Sequence, residues 1–288
     1  MQYTSRAGKL FNSFNLVFLT IVAVVTVYPF WDTLVVSVIP LEEYLSSGIH
    51  LFPKQITFEA YTYLFSMNEL WRSYGVTLFV TVVGTALNMI LTVLAAYALS
   101  RPGLKGQRVI MFLLVFTMMF SGGIIPTYLL VKDLGMMNSV WALIIPSALN
   151  TYNLIIMKNF FSSMPDGLVE AAKIDGNNDL GILFKIVIPL SMPAISTITL
   201  FYAVTRWNDF FNAIFFISDK ELWPLQLFLR SMLFENESSY SGGGDSLFLL
   251  GPSIKMATVM AASIPVMLIY PFFQKYFING VLIGGVKE

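Results

Sequence analysis

Six stretches of this chain are apolar for long enough to cross a lipid bilayer, and no other feature limits its folding options as strongly. A helix that spans the hydrocarbon core needs about 20 mostly apolar residues. The stretches run over residues 15–39, 74–99, 108–131, 139–160, 191–217 and 256–278. Composition agrees: 56% of the 288 residues are hydrophobic and 12% charged, against about 25% charged in a soluble domain. A soluble chain of this length could build a core but would lack the polar surface to cover it. The expectation is an all-α integral membrane protein, one domain over residues 1–288 with six transmembrane helices. The first stretch is too long for a signal peptide. Tyr28, Pro29, Phe30 and Trp31 stand where small residues would mark a cleavage site, and they suit a membrane interface instead.

An even number of crossings puts both termini on one side. Lys and Arg are more frequent on that side, and the short loop 100–108 carries Arg101, Lys105 and Arg108. The positive-inside rule then gives an N-in, C-in orientation. A formal net charge of zero offers nothing to nucleic acid. There are no cysteines and a single histidine, His50, which lies in an outer loop and carries no assigned role; neither disulfides nor a Cys/His metal site is expected.

The segment between the fourth and fifth stretches is too polar to span and too patterned for a plain loop. Ser163 and Asp166 have capping-box spacing, with Pro165 in the first turn. The pattern predicts a helix over about 164–175, ended by Gly176 in a left-handed conformation. Asn177 or Asn178 then caps a second short helix that Pro189 ends. Leu168, Ala171, Ala172 and Asp175 recur at i, i+3, i+4, i+7, a stripe with small residues at its centre that suits docking in another protein's groove.

Glu170-Ala171-Ala172, then Gly176, then Ile186-x-Ile188-Pro189 resembles the EAA motif of binding-protein-dependent ABC importer permeases, with every spacing kept and Ile188 in place of Leu. Asp175-Gly176, Pro189-Leu190 and Pro193 resemble the carbohydrate (MalG-like) branch, as do AAYALSR at 95–101, FSGGIIPTYLLVKDLGMMNSVWALIIP at 120–146 and WNDFFNAIFFISD at 207–219; the subgroup serving complex oligosaccharides looks most similar. The resemblance covers nearly the whole chain. It implies a MetI-like permease fold in the bacterial cytoplasmic membrane and alternating-access import of a carbohydrate. It also implies four kinds of partner: a second homologous permease, two ATPase subunits, an extracytoplasmic solute-binding protein and the surrounding lipid. Within it, residues 163–190 are a cytoplasmic helix–turn–helix coupling segment seated on an ATPase subunit, carried by Glu170, Ala171, Ala172, Asp175, Gly176 and Pro189. Gly280–Glu288 resembles the family's short glycine-bearing tail, which reaches between the ATPases; a frayed terminus is the alternative.

The chain has no G-x-x-x-x-G-K-[ST] loop, so no cofactor is expected in it, and ATP and Mg would be bound by the partner ATPase. A secondary transporter would show inverted repeats and intramembrane carboxylates; no repeat is visible, and Asp209 is the one carboxylate well inside a stretch. A membrane enzyme would need a HExxH motif, paired carboxylates at a membrane face or a histidine beside a nucleophile, and none is found.

The substrate pathway is open between two readings. Arg206, Trp207, Asn208 and Asp209 cluster in the fifth stretch. An intramembrane charge should face protein or a water-filled cavity. The cluster is either a polar, aromatic site that binds or passes sugar or an Arg206–Asp209 pair that braces the helix against the partner permease. Thr81, Thr85, Asn88 and Thr92 form a polar stripe on the second stretch that either joins helices or lines the path. Ser121-Gly122-Gly123 and Pro126 predict a kink in the third. Residues 40–73 and 218–255 are outer segments, the second with a Ser/Gly-rich middle at Glu235–Asp245.

Overall fold

The structure is a computed structural model that describes residues 6–46, 48, 51–234, 251–269 and 271. His50, the Ser/Gly-rich middle of the second outer segment and the C-terminal tail lie outside the described residues. All regular structure among the described residues is helical.

In chain order the helices are α1 (Arg6–Val36), α2 (Leu41–Ser46), α3 (Glu59–Ser66), α4 (Asn68–Ser100), α5 (Gln107–Met119), α6 (Ile124–Asp133), α7 (Trp141–Ile144), α8 (Thr151–Ser162) and α9 (Asp166–Ile174). They continue with α10 (Asp179–Leu190), α11 (Met192–Trp207), α12 (Phe211–Phe216), α13 (Leu225–Phe234) and α14 (Gly251–Ile269). Three of them, α1, α4 and α14, are long and apolar enough to cross a membrane unaided.

The other apolar stretches are interrupted, each for a visible reason. The third bends by 112° between α5 and α6, where Gly123 takes φ +85° and Pro126 follows one turn later; the expected kink is present. The fourth divides into α7 and α8 around Pro146, which cannot donate to a helical carbonyl. The fifth stops at Trp207 and resumes at Phe211. A bilayer offers no water to unpaired backbone groups, so each break must be satisfied by the protein itself.

The described residues fall into two compact units. In the first, formed by 1–68 and 229–264, Val35, Val36 and Ile39 are buried with Tyr44 and Met256 against them. The Ser253 hydroxyl donates to the Ile39 carbonyl at 2.8 Å. Both carboxylate oxygens of Glu43 accept backbone N–H bonds, from Lys54 and Gln55, and so shape the outer segment. The most apolar window of α1 buries none of its residues within the chain, which suits a helix with apolar side chains all round in lipid.

The second unit, 69–228 with 265–288, holds the main core. Val93, Ala96 and Tyr97 of α4 pack with Leu154, Met157 and Phe161 of α8, Ile198 and Tyr202 of α11, and Ala172, Ile182, Leu183 and Val187 from the segment between them. Close packing and polar ties, not exclusion from water, hold helices together in a membrane. One such tie is Asn138, at φ +54°, whose side-chain oxygen accepts from Ser218 and Asp219 N–H at 2.6 and 3.1 Å.

Candidate functional site

Two polar regions of the second unit gather the residues singled out in the sequence. The first is an elbow, α9 and α10 joined by a tight turn. Gly176 has φ +80°, as the left-handed end of a helix requires. The Asn177 N–H donates to Ala172 C=O at 3.0 Å and the Gly176 N–H to Lys173 C=O at 3.1 Å, the paired bonds of a Schellman end. Asn178 caps α10 by accepting from the Gly181 N–H at 2.7 Å.

Three local expectations need correction. Ser163 does not form a capping box: its hydroxyl donates back to Phe160 C=O at 2.8 Å and closes α8. Pro165, with ψ 128°, instead holds the extended position ahead of α9, with no side-chain cap bond there among the described residues. Pro189 does not end α10, which runs to Leu190 through a π-helical turn at Leu183–Val187. The wider turn relieves the clash between a proline ring and the carbonyl one turn back. The chain then turns by 85° into α11, and the Ser191 hydroxyl donates to Val187 C=O at 2.6 Å.

The predicted stripe also divides. Ala172 is 4% exposed and faces the core with Val169, so it offers no surface to another protein. Its methyl group lets α9 lie close on the helices beneath. Leu168, Glu170, Ala171, Asp175, Gly176 and Pro189 are exposed, as are Ile174, Leu180 and Phe184. Ile174 is 87% exposed, an outlying value for an apolar side chain on a short polar helix. Glu170 and Asp175 make no side-chain bond to any described residue. Lys173 and Asp179 approach to 3.9 Å, an exposed pair worth about 0–1 kcal/mol.

The second region is buried. Arg206 is 4% exposed on α11. Its Nε and Nη2 donate to Asn88 Oδ1 at 3.1 and 2.9 Å. Nη1 donates to Ser147 Oγ at 2.8 Å and to Leu143 C=O. Nη2 also donates to Ile144 and Ser147 C=O at 3.0 and 2.9 Å. These contacts engage all three guanidinium nitrogens. The Asn88 amide nitrogen donates to Ser147 and Ala148 C=O, both at 2.8 Å. The carbonyls left free where α7 breaks at Pro146 are therefore capped by one cation and one amide.

Arg206 is thus a brace within the chain, but not through Asp209. The two form no ion pair among the described residues; Asp209 accepts instead from the Asn212 side chain at 3.0 Å. The sequence cluster separates: Arg206 points into the tie, Trp207 is 6% exposed beside Tyr74, Asn208 is exposed and Asp209 half-buried.

Sequence reasoning missed Gly84, where an added Cβ would lie 3.1 Å from Arg206 Nε. It also missed Ser147 and Tyr202. Gly84 lies one turn before Asn88 and could have been found as the small residue on that stripe. On the same stripe Thr92 bonds the Tyr202 hydroxyl at 2.8 Å, which in turn accepts from Asn150 N–H at 3.1 Å and holds the start of α8. Thr77 accepts from Leu225 N–H at 2.7 Å. Asn88, Thr92 and Thr77 therefore join helices; the Thr81 and Thr85 hydroxyls are buried without a partner among the described residues.

Residues 88–283, which contain both the elbow and the tie, match the family of binding-protein-dependent transport system inner membrane components. The chain belongs to that family. As such it is a transport component of the inner membrane that crosses more than once, not an enzyme. This permease is 48% identical over 284 residues to the polygalacturonan/rhamnogalacturonan transport system permease protein YtcP of Bacillus subtilis (strain 168), covering 97% of this chain and 99% of the relative. It is 43% identical to Protein LplC of the same organism, covering 99% and 97%. Its fold matches a chain in the crystal structure of a bacterial ABC transporter involved in the import of the acidic polysaccharide alginate, with a TM-score of 0.90, 36% identity, and 96% and 100% of the two chains covered.

Proposed function

We propose that this permease carries an oligosaccharide, of the acidic kind named for its relatives, across the cytoplasmic membrane as one transmembrane half of an ATP-driven importer. The observation that carries the proposal is the elbow. It is a helix–turn–helix anchored to the core from below, with exposed apolar, small and acidic side chains above. Such a face fits a groove on a motor subunit, and the Gly176 turn keeps its two helices at a fixed angle.

In this reading the chain crosses six times, by α1, α4, α5–α6, α7–α8, α11–α12 and α14, with both termini in the cytoplasm. The charge of loop 100–108 supports that orientation. A binding protein delivers sugar to the outer segments. This chain and a homologous permease enclose the path, and two ATPase subunits bind ATP and Mg and seat the elbows. Uptake against a thousandfold gradient needs about 4 kcal/mol, which the separate ATPase supplies. ATP binding drives the switch between inward- and outward-facing states only by stabilising one over the other. Arg206 and Asn88 brace the moving helices, whereas Trp207 and Asn208 are placed to meet substrate.

The test is uptake of trigalacturonate by proteoliposomes holding this chain with its partner permease and ATPase. Uptake should require both ATP and loaded binding protein. Uptake driven by an ion gradient with no ATPase present would overturn the proposal.

A further inference from the structure

Beside the Arg206 tie, but not part of it, three aromatic rings lie in a row. The Trp71 and Tyr74 centroids are 6.1 Å apart, and those of Tyr74 and Trp207 are 6.5 Å apart. The row runs from an exposed indole to a buried one, with Trp71 at 57% and Trp207 at 6%. Two amides adjoin it, Asn208 at the C-terminal end of α11 and Gln226 on α13. Asn208 is exposed, and its Oδ1 accepts from Gln226 Nε2 at 3.3 Å while its Nδ2 donates to Val204 C=O at 2.9 Å. A carboxamide has two donor hydrogens and two acceptor lone pairs, so each side chain retains capacity beyond these bonds.

We propose that Trp71, Tyr74, Trp207, Asn208 and Gln226 form a sugar-contact track on this permease. A pyranose ring presents C–H groups on its faces and hydroxyls around its rim. The faces pack on aromatic rings, whose amphipathic character suits a half-wet site. The rim hydroxyls both donate and accept, which matches amides better than cations. Arg206 has no N–H left to offer here, because its guanidinium already donates to Asn88, Ser147 and three backbone carbonyls. Rings alone would suit a membrane interface equally well. The amides decide against lipid, since amide side chains facing hydrocarbon would lose hydrogen bonds that water or sugar provides.

This track rests on the proposed import function, so the experiment separates the two. Proteoliposomes with the complete transporter and loaded binding protein are assayed for trigalacturonate delivered per ATP hydrolysed. In Trp71→Ala and in Gln226→Leu this ratio should fall at least about fivefold, the effect of losing one modest contact to the passing sugar. Trp71→Phe, which keeps a ring, should stay within about twofold of the parent by the same scale. An unchanged ratio in both Trp71→Ala and Gln226→Leu overturns the track and leaves the rings as interface anchors. A loss in Trp71→Ala alone also overturns it, because a lipid anchor would behave that way. A parent protein that moves no sugar would instead sink the import function.

Discussion

The Arg206 tie and the elbow are both built at a break in helical structure, at Pro146 and at Gly176, and they resolve the break in opposite ways. At Pro146 the freed carbonyls lie inside the chain and take donors from Arg206 and Asn88 on two other helices. At the elbow the backbone is satisfied locally, by the Gly176 turn, the Asn178 cap and the π turn before Pro189. The tie therefore uses its polar side chains within the fold, while the elbow leaves Glu170, Asp175 and a row of apolar groups facing outward. A polar group engaged on all sides is evidence of architecture. A rigid segment whose side chains have no use inside the chain is evidence of a partner.

Variants can break this contrast. The largest effect is expected for Arg206→Ala. It strands several carbonyls and the Asn88 side chain in a dry interior, and hydrogen bonds to a charged group are worth about 1.5–3 kcal/mol each. Purified protein should melt well below the parent in a detergent-based thermal scan, if it accumulates at all. Arg206→Lys should recover only part of the loss, because one ammonium cannot reach the spread of acceptors that a planar guanidinium serves.

Gly84→Leu comes next. An added Cβ already lies 3.1 Å from Arg206 Nε and 3.3 Å from its Cδ, and overpacking costs about 1–3 kcal/mol. The melting temperature should drop, and the drop should shrink in an Arg206→Ala background, where the clash is gone. A double-mutant cycle measures that coupling. If the two effects simply add, Gly84 does not make room for the arginine.

Gly176→Ala should be milder. A side chain at φ +80° costs on the order of 1–2 kcal/mol, borne by an exposed turn that takes no part in the tie. The smallest stability effect is expected for Glu170→Ala, within about 0.5 kcal/mol, as for exposed sites without internal partners. A destabilisation by Glu170→Ala as large as that of Arg206→Ala would erase the distinction between the regions.

How much was legible in the sequence follows the same division. The elbow could be read because its signals are local: Gly176, the paired asparagines and the EAA spacing lie within one short segment. The exceptions were also local competitions, such as the Ser163 hydroxyl taken by the end of α8 and Pro189 accommodated by a π turn. The tie could not be read. Its partners Asn88, Leu143, Ser147 and Arg206 are far apart in sequence, and hydropathy reports only that a charge lies among apolar residues. The pairing favoured from sequence, Arg206 with Asp209, was the near neighbour; the actual acceptors lie at a break about sixty residues earlier, bridged by hydrogen bonds that span 59–63 residues. The broken fourth stretch was hidden for the same reason, since Pro146 marks a break but not what repairs it.

In the proposed importer the elbow transmits the ATPase motion, so the decisive measurement is ATPase stimulation in the reconstituted transporter, with and without loaded binding protein, for the parent, Glu170→Ala and Gly176→Pro. Stimulation should collapse in both variants, while Glu170→Ala melts at the parent temperature. Full stimulation and full uptake in both variants would contradict it, and residues 163–190 would lose their assigned role.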